Sequence, residues 1–122
     1  MIIKESAENY LEAILSIKKA KGSVRSIDVA TDLGVSKPSV SVAMKNFREE
    51  GYVTVDKNGY LDLTEKGLAI ANKVYERHLI IAKALMALGV NEETAYEDSC
   101  RIEHCISEES FERLKEFLDK KG

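Results

Sequence analysis

Apolar residues follow a helical spacing along most of this chain and alternate only in one short stretch. The first run includes Ala7, Leu11 and Ile14, which predicts a helix over residues 5–20. A second helix is predicted over 27–33, and a long one is expected to run to about Leu88. The helices after the first are expected to start at residue types that favour N-caps, namely Ser26, Ser36, Thr64, Asn91 and Ser107. Glycines are expected to end four helices, at Gly22, Gly34, Gly51 and Gly89.

A hairpin interrupts this helical pattern. Two short strands, Tyr52–Asp56 and Tyr60–Leu63, flank the turn Asp56-Lys57-Asn58-Gly59, whose Asn-Gly pair is a strong hairpin signal. The predicted fold class is therefore mainly α: an N-terminal winged helix-turn-helix over residues 1–63, then an α-helical domain over residues 64–122. The side chains expected to pack the two helices of the helix-turn-helix together are Ile27, Ala30, Leu33, Val35, Val40 and Met44.

Composition narrows the class of protein. The chain has 122 residues, of which 44% are hydrophobic and 32% charged, so a large two-domain enzyme is excluded and a soluble globular protein is favoured. No apolar run is long enough to span a membrane, and the segment MIIKESAENY lacks the apolar stretch of a signal peptide. A cytoplasmic protein is expected, in which Cys100 and Cys105 stay reduced.

Charge and apolar content differ between the two halves. Residues 1–75 hold 11 Lys and Arg against 10 Asp and Glu, whereas residues 76–122 hold 7 against 11. The second half is also too small to bury its large apolar side chains alone, which predicts a homodimer. The large apolar residues that together exceed what this half can bury within itself are Leu79, Leu85, Met86, Leu88, Ile106, Phe111, Leu114, Phe117 and Leu118. In a dimer, the acidic half could face away from a nucleic acid.

The helix after Ser36 has the composition of a DNA-recognition helix. Small hydroxylated residues at its N-terminus would let it enter the major groove, where base edges are contacted. The hairpin tip could reach a neighbouring phosphate or the minor groove. The predicted DNA-binding residues are Ser36, Lys37, Pro38, Ser39, Ser41, Lys45, Arg48, Lys57 and Asn58. Some helix-turn-helix domains bind proteins instead, and Lys45 and Arg48 could also be ordinary solvated side chains.

The sharpest local chemical signal is a Cys-x-x-Glu-His pattern. On a helix, Cys100, Glu103 and His104 would share one face, which brings thiolate, carboxylate and imidazole together. Asn9 and Glu12 are also spaced three apart on the first helix. The remaining ligand candidate is His78 on the long helix, although a histidine on an apolar face is more often a core residue. Asn9 and Glu12 taken alone would be ordinary surface residues, and Cys105 is interpreted as a small hydrophobe.

Taken together, these motifs resemble the diphtheria toxin repressor family of metal-dependent regulators. The resemblance runs from Glu8-Asn9-Tyr10-Leu11-Glu12, through a Tyr-x-Arg-His motif ending at His78, to Cys-x-x-Glu-His-x-x-Ser ending at Ser107. It implies a dimer whose winged helices bind operator DNA when Fe(II) or Mn(II) is held between the two domains. It also implies a two-domain form without the SH3-like domain of the iron-responsive branch.

The resemblance implies a mixed ligand set. Cys100, Glu103 and His104 match the primary site of the iron-responsive branch, which has Met where Asn9 stands. His78 and Glu12 match ligands of the manganese-responsive branch, which has Asp in place of Asn9 and Glu in place of Cys100. Two ancillary ligands of the iron branch correspond to Ala82 and Tyr96, so that second site is missing or rebuilt.

The sequence therefore predicts a metal-dependent transcriptional repressor of metal-ion homeostasis. Its expected partners are double-stranded operator DNA and a second copy of itself, with no membrane. Fe(II) is the expected activator and Mn(II) the second, while Zn(II) or Co(II) could bind in vitro. Two alternatives stay open: a winged-helix regulator whose DNA binding does not depend on metal, and a small metalloenzyme.

Overall fold

The computed structural model describes residues 5–121 of the chain. The outer limits predicted for the two domains, residues 1 and 122, lie outside this range, as do the first residues of the segment used to judge a signal peptide. The chain divides into two compact units, the first ending at Asn72 and the second beginning at Lys73. Within the described range, no helix is long and apolar enough to cross a membrane.

The predicted order of elements is confirmed. The elements are α1 (Glu5–Lys21), α2 (Ser26–Leu33), α3 (Lys37–Glu49), β1 (Val53–Val55), β2 (Leu61–Leu63), α4 (Glu65–Ala87), α5 (Glu92–Ile102) and α6 (Glu108–Lys121). Four predicted N-caps are confirmed, at Ser36, Thr64, Asn91 and Ser107. The cap predicted at Ser26 is wrong, because α2 begins at that residue and Arg25 is its N-cap. The Asp28 carboxylate accepts a hydrogen bond from the Arg25 backbone N–H at 2.9 Å, which fixes this start.

Helices α2 and α3 form the helix-turn-helix of the first unit. Gly34 adopts a positive φ of 67° between them, and Val40 and Met44 on α3 are buried with Ala30 on α2. The packing predicted for Ile27 and Val35 is wrong, because these side chains are 44% and 38% exposed. Val29 is buried on α2 instead of Ile27. Two residues correspond to roughly 200° around a helix, so Val29 and Ile27 face opposite sides.

Strands β1 and β2 form the wing. They pair antiparallel with Val53 opposite Leu63, and each is shorter than the predicted strand. The tip is well fixed, since the Asp56 carboxylate accepts hydrogen bonds from the backbone N–H groups of Asn58 and Tyr60 at 2.8 and 2.9 Å. Arg25 contributes a further bond, donating to the Asn58 carbonyl at 2.7 Å. The wing therefore presents Lys57 and Asn58 from an ordered turn.

The second unit contains most of α4 together with α5 and α6. Helix α5 ends at Ile102, so the prediction that Cys100, Glu103 and His104 lie on one helix is wrong at its C-terminal end. Glu103 is the C-cap, and the following residues form a turn in which the Cys105 N–H donates to the Ile102 carbonyl at 2.9 Å. We call residues 103–105 the ligand turn. This tighter turn replaces the last helical turn that the i, i+3, i+4 spacing predicts.

Candidate metal centre and nucleic-acid interface

A buried carboxylate lies at the centre of the polar cluster in the second unit. Glu103 is only 2% exposed, and its two oxygens contact two different imidazoles. His78 Nδ1 lies 3.2 Å from Glu103 Oε2, and His104 Nε2 lies 3.3 Å from Glu103 Oε1. The ligand turn places Glu103 and His104, while α4 supplies His78 from a position distant in sequence.

His78 is the point where the cluster converges. Its Nδ1 also lies 3.4 Å from the Cys100 sulfur and 3.1 Å from the Ser99 hydroxyl oxygen. Cys100 and Glu103 raise the pKa of His78 to about 10, against the opposing effect of burial. The imidazole is therefore protonated near neutral pH. It must give up a proton before it can bind a metal ion, as metal-binding histidines do.

The donor set fits a transition-metal ion. Among the residues that the structure describes, both Glu103 carboxylate oxygens are buried without a hydrogen-bond partner. A buried carboxylate is costly unless it is paired or coordinates a cation. Thiolate, imidazole and carboxylate are each established ligand types for first-row divalent metals. Cys100 is exposed, which leaves the cluster open to an entering ion.

Four of the six predicted metal ligands thus form a series of pairwise contacts within the second unit: Cys100 contacts His78, His78 contacts Glu103, and Glu103 contacts His104. The other two, Asn9 and Glu12, lie one turn apart on α1 in the first unit and are half-buried. Cys100 and Cys105 are both free thiols.

Sequence reasoning missed two residues of this cluster. Ser99 is fully buried and contacts His78, and Tyr96 lies beside the same imidazole with ring centroids 5.5 Å apart. The family resemblance named Tyr96 as the position of an ancillary ligand, but it did not predict the contact with His78. No pattern singled out Ser99, since serine is common in helices and its contact partner is 21 residues away.

The predicted DNA-binding residues all lie on the surface. Each of the nine is exposed: Ser36, Lys37, Pro38, Ser39, Ser41, Lys45, Arg48, Lys57 and Asn58. At the start of α3, the Ser36 hydroxyl accepts a hydrogen bond from the Ser39 N–H at 3.3 Å and lies 2.8 Å from the Ser39 hydroxyl. Sequence reasoning missed Val42, which is 62% exposed in the middle of α3. Its signal was available, because it lies outside the spacing of Val40, Met44 and Phe47.

These two sets of residues define a class of protein: a DNA-binding transcriptional regulator that responds to a metal ion. Comparison with known proteins gives the family. The sequence model of the iron-dependent repressor N-terminal DNA-binding domain matches residues 3–63, and that of the iron-dependent repressor metal-binding and dimerisation domain matches residues 64–121. The chain belongs to the iron-dependent repressor family. It is a metal-responsive transcriptional repressor and not an enzyme, so the metalloenzyme hypothesis is set aside.

Individual relatives agree with this assignment. An HTH-type transcriptional regulator of Methanocaldococcus jannaschii is 36% identical over 120 residues, covering 97% of this chain and 96% of that protein. The transcriptional regulator MntR of Escherichia coli O6:H1 is 33% identical over 119 residues, covering 98% of this chain and 77% of that protein. Among solved structures, the manganese regulator SloR is similar with a TM-score of 0.78 and 30% identity. That match covers 98% of this chain and 55% of the SloR chain.

Proposed function

We propose that the repressor is activated by Fe(II) or Mn(II) held by His78, Cys100, Glu103 and His104, with Asn9 and Glu12 as further oxygen donors. The observation that carries this proposal is the Glu103 carboxylate, which is buried, contacts two imidazoles and has no hydrogen-bond partner among the described residues. A bound divalent ion would coordinate these two buried oxygens and take the place of the His78 proton. The proposed residues around Glu103 would then all be ligands of the same metal ion.

Asn9 and Glu12 are included because of their spacing and chemistry. Both lie on α1, three residues apart, so their side chains leave the helix on the same face. Both end in oxygen donors, and the resemblance of this chain to the manganese-responsive branch supports Glu12 as a ligand. Since α1 belongs to the unit that carries the helix-turn-helix, these two residues would make the DNA-binding domain sensitive to the metal. A coupling free energy of about 1–3 kcal/mol would change operator affinity about 5–150-fold.

The DNA partner is proposed to be a double-stranded operator with two half-sites. Helix α3 would enter the major groove and the wing would contact the adjacent backbone. A homodimer would present two such units, and successive major grooves on one side of DNA lie about 34 Å apart. Lys37, Lys45, Arg48 and Lys57 are exposed cations suited to phosphate contacts.

The choice of metal follows from the mixed donor set. A thiolate at Cys100 favours Fe(II), Co(II) or Zn(II) over Mn(II), whose affinity is lowest in the divalent series. Oxygen donors from Asn9 and Glu12 suit six-coordinate ions and discourage a closed tetrahedral zinc site. We therefore propose Fe(II) as the activator in the cell and Mn(II) as the second choice, with Zn(II) and Co(II) binding in vitro.

The test compares DNA binding with and without metal. A DNA site is enriched from a random duplex pool on the Mn(II)-loaded protein, and affinity for it is then measured with chelator, Mn(II) or anaerobic Fe(II). Glu103→Ala and His104→Ala are expected to abolish the metal-stimulated part of binding while light scattering still shows a dimer. Glu97→Ala, which removes an exposed carboxylate on α5, is the matched control and should behave as wild type.

Two outcomes would count against the proposal. If either Glu103→Ala or His104→Ala kept the metal dependence of the wild type, the site would be misplaced. If the wild type bound its selected DNA equally well in chelator, the alternative of a regulator that binds DNA independently of metal would be favoured. In that case the polar cluster would be a structural element of the second unit.

A further inference from the structure

Arg77 precedes His78 on α4 and makes contacts that the proposed metal site does not itself explain. Its side chain is only 15% exposed. One guanidinium nitrogen, Nη1, donates a hydrogen bond to the Glu103 backbone carbonyl at 3.2 Å, and Nη2 contacts the Glu108 carboxylate on α6. One side chain therefore links the ligand turn to two helices.

The carbonyl that Arg77 binds lies at a sensitive place. Glu103 is the C-cap of α5, and the last carbonyl groups of a helix have no partner within the helix. A cation there satisfies such a carbonyl and interacts favourably with the helix dipole. Because the Glu103 side chain leaves from the same residue, a hydrogen bond to its carbonyl also restrains the direction in which the carboxylate points.

The guanidinium group is held from several sides. Its central carbon lies over the Phe111 ring, 5.5 Å from the ring centroid. Glu108, its anionic partner, also pairs with Lys73 at 3.0 Å. These contacts leave Arg77 little freedom to move, so it is rigid enough to act as a template for the ligand turn.

We infer that Arg77 is a positioning residue for the metal centre, which holds the ligand turn against α4 so that Glu103 and His104 face His78. This inference rests on the proposed metal site. Arg77 carries the function through geometry rather than charge alone, because its planar fork serves the Glu103 carbonyl and the Glu108 carboxylate at once. A lysine has one point charge and cannot reproduce both contacts in the same geometry.

The experiment uses Co(II) as a spectroscopic probe of the full-length protein. Arg77→Lys is expected to weaken Co(II) binding at least about tenfold, the usual effect of losing a residue that orients a metal ligand. Its absorption spectrum at Co(II) saturation should also differ from that of the wild type, because the ligands around the ion are rearranged. Glu108→Gln, which removes the anionic partner and leaves Arg77 intact, should shift both quantities in the same direction by a smaller amount.

Lys115→Met is the matched control. Lys115 on α6 pairs with Glu76 on α4 at 2.7 Å, so it links the same two helices without contacting a proposed ligand. It should leave the Co(II) affinity and spectrum unchanged even if it lowers the melting temperature. Arg77→Lys with a wild-type spectrum and affinity but a lower melting temperature would overturn the inference, because Arg77 would then only stabilise the fold.

A metal-free measurement separates this inference from the proposed function. Amide hydrogen exchange at Cys105 and Ile106, whose N–H groups bond to the Ile102 carbonyl, reports on the ligand turn directly. Arg77→Lys should accelerate exchange there in the metal-free protein, and unchanged exchange would overturn the inference. If exchange accelerates but the wild type binds no Co(II), the proposed metal site fails and Arg77 is reduced to a structural residue.

Discussion

Cys100 is the residue that sets this ligand cluster apart from one made only of hard donors. Its thiolate favours the later, softer divalent ions, whereas carboxylate and amide oxygens discriminate weakly among metals. Replacing it by a carboxylate recreates the hard donor set that the family resemblance assigns to the manganese-responsive branch. We expect Cys100→Glu to shift activation of DNA binding toward Mn(II) relative to Fe(II).

The measurement is DNA affinity against free metal concentration for the wild type and Cys100→Glu. Cys105→Ser is the control, because Cys105 is also an exposed free thiol but follows the end of α5. It should leave the metal preference unchanged. The wild type could already respond to Mn(II) at lower concentrations than to Fe(II), with Cys100→Glu leaving both responses unchanged. That result would show that Cys100 does not tune the metal preference of the site.

Val42 offers a prediction about sequence recognition. It is 62% exposed on α3, and an apolar side chain on a recognition helix suits the C5-methyl group of thymine. Replacing single thymines of the selected DNA by uracil removes only that methyl group. At the contacted position, this should weaken binding of the wild type about fourfold, the value of one buried methylene-sized group.

Val42→Ala should lose this sensitivity to uracil, because the side chain that packs on the methyl group is gone. Lys45→Ala is the control. Loss of a phosphate contact should weaken binding by the same factor for every DNA sequence and leave the response to uracil intact. If the wild type and Val42→Ala responded identically to every uracil substitution, Val42 would not contact a thymine methyl group.

At the scale of single residues, the sequence predicts properties set by near neighbours in the chain but not contacts between distant residues. The exposure of Ser36, Lys37 and Lys45 followed from the helical spacing of buried neighbours, which is a local property. Ser99 and Arg77 were missed because their partners, His78 and Glu103, lie 21 and 26 residues away. Only the packing of α5 against α4 brings these pairs together, and no local pattern encodes that packing.

At the scale of elements, the ends of helices were harder to predict than their existence. The spacing of Cys100, Glu103 and His104 suited a helix, but α5 ends at Ile102. The same three residues still converge, because the Glu103 N–H keeps a helical bond to the Ser99 carbonyl at 2.9 Å before the turn tightens. Cys100 and Glu103 both contact His78 although the predicted helix boundary is wrong.

The start of α4 provides a prediction about packing. Gly67 lies against Tyr52, and a Cβ atom at this glycine would lie 2.1 Å from the Tyr52 backbone carbonyl oxygen. Alanine in a helix interior is usually more stable than glycine by about 0.5–1 kcal/mol. Here the clash with backbone should reverse the sign, and we expect Gly67→Ala to lower the free energy of unfolding by about 1–3 kcal/mol.

Chemical denaturation of the metal-free protein measures this effect. Asn72→Ala is the control, because Asn72 is exposed on the same helix and should respond only through helix propensity, with a small gain in stability. A stabilising Gly67→Ala would mean that the helix start moves away from Tyr52 without loss, and that this close approach contributes nothing to the packing of the first unit.

At the scale of the whole molecule, composition predicted a soluble globular protein but did not indicate which surface would contact DNA. The chain carries a net charge of −3, which alone argues against a general polyanion binder. The cations proposed to contact DNA lie on α3 and the wing, whereas the acidic excess falls after residue 75. The net charge averages two parts of the chain whose balances differ, 11 Lys and Arg against 10 Asp and Glu in residues 1–75 and 7 against 11 in residues 76–122.

The large apolar side chains of the second unit are the reason that a dimer is predicted. Leu88 is 78% exposed and Phe117 is 47% exposed in the single chain, so both side chains are accessible to a second copy. Burying a side chain of this size is worth about 1.5–3 kcal/mol, and a two-fold symmetric interface counts each residue twice. A charge placed at Phe117 should therefore oppose association strongly.

We expect the wild type to be a dimer at micromolar concentration by light scattering, and Phe117→Glu to shift it to a monomer. Affinity for the selected DNA should fall in parallel, because a monomer contacts only one half-site. Ile27→Glu is the control for adding a charge at an exposed apolar residue, since Ile27 is 44% exposed on α2 in the first unit. It should leave the mass unchanged. A monomeric wild type, with or without metal, would contradict this prediction, as would a Phe117→Glu variant that remains fully dimeric.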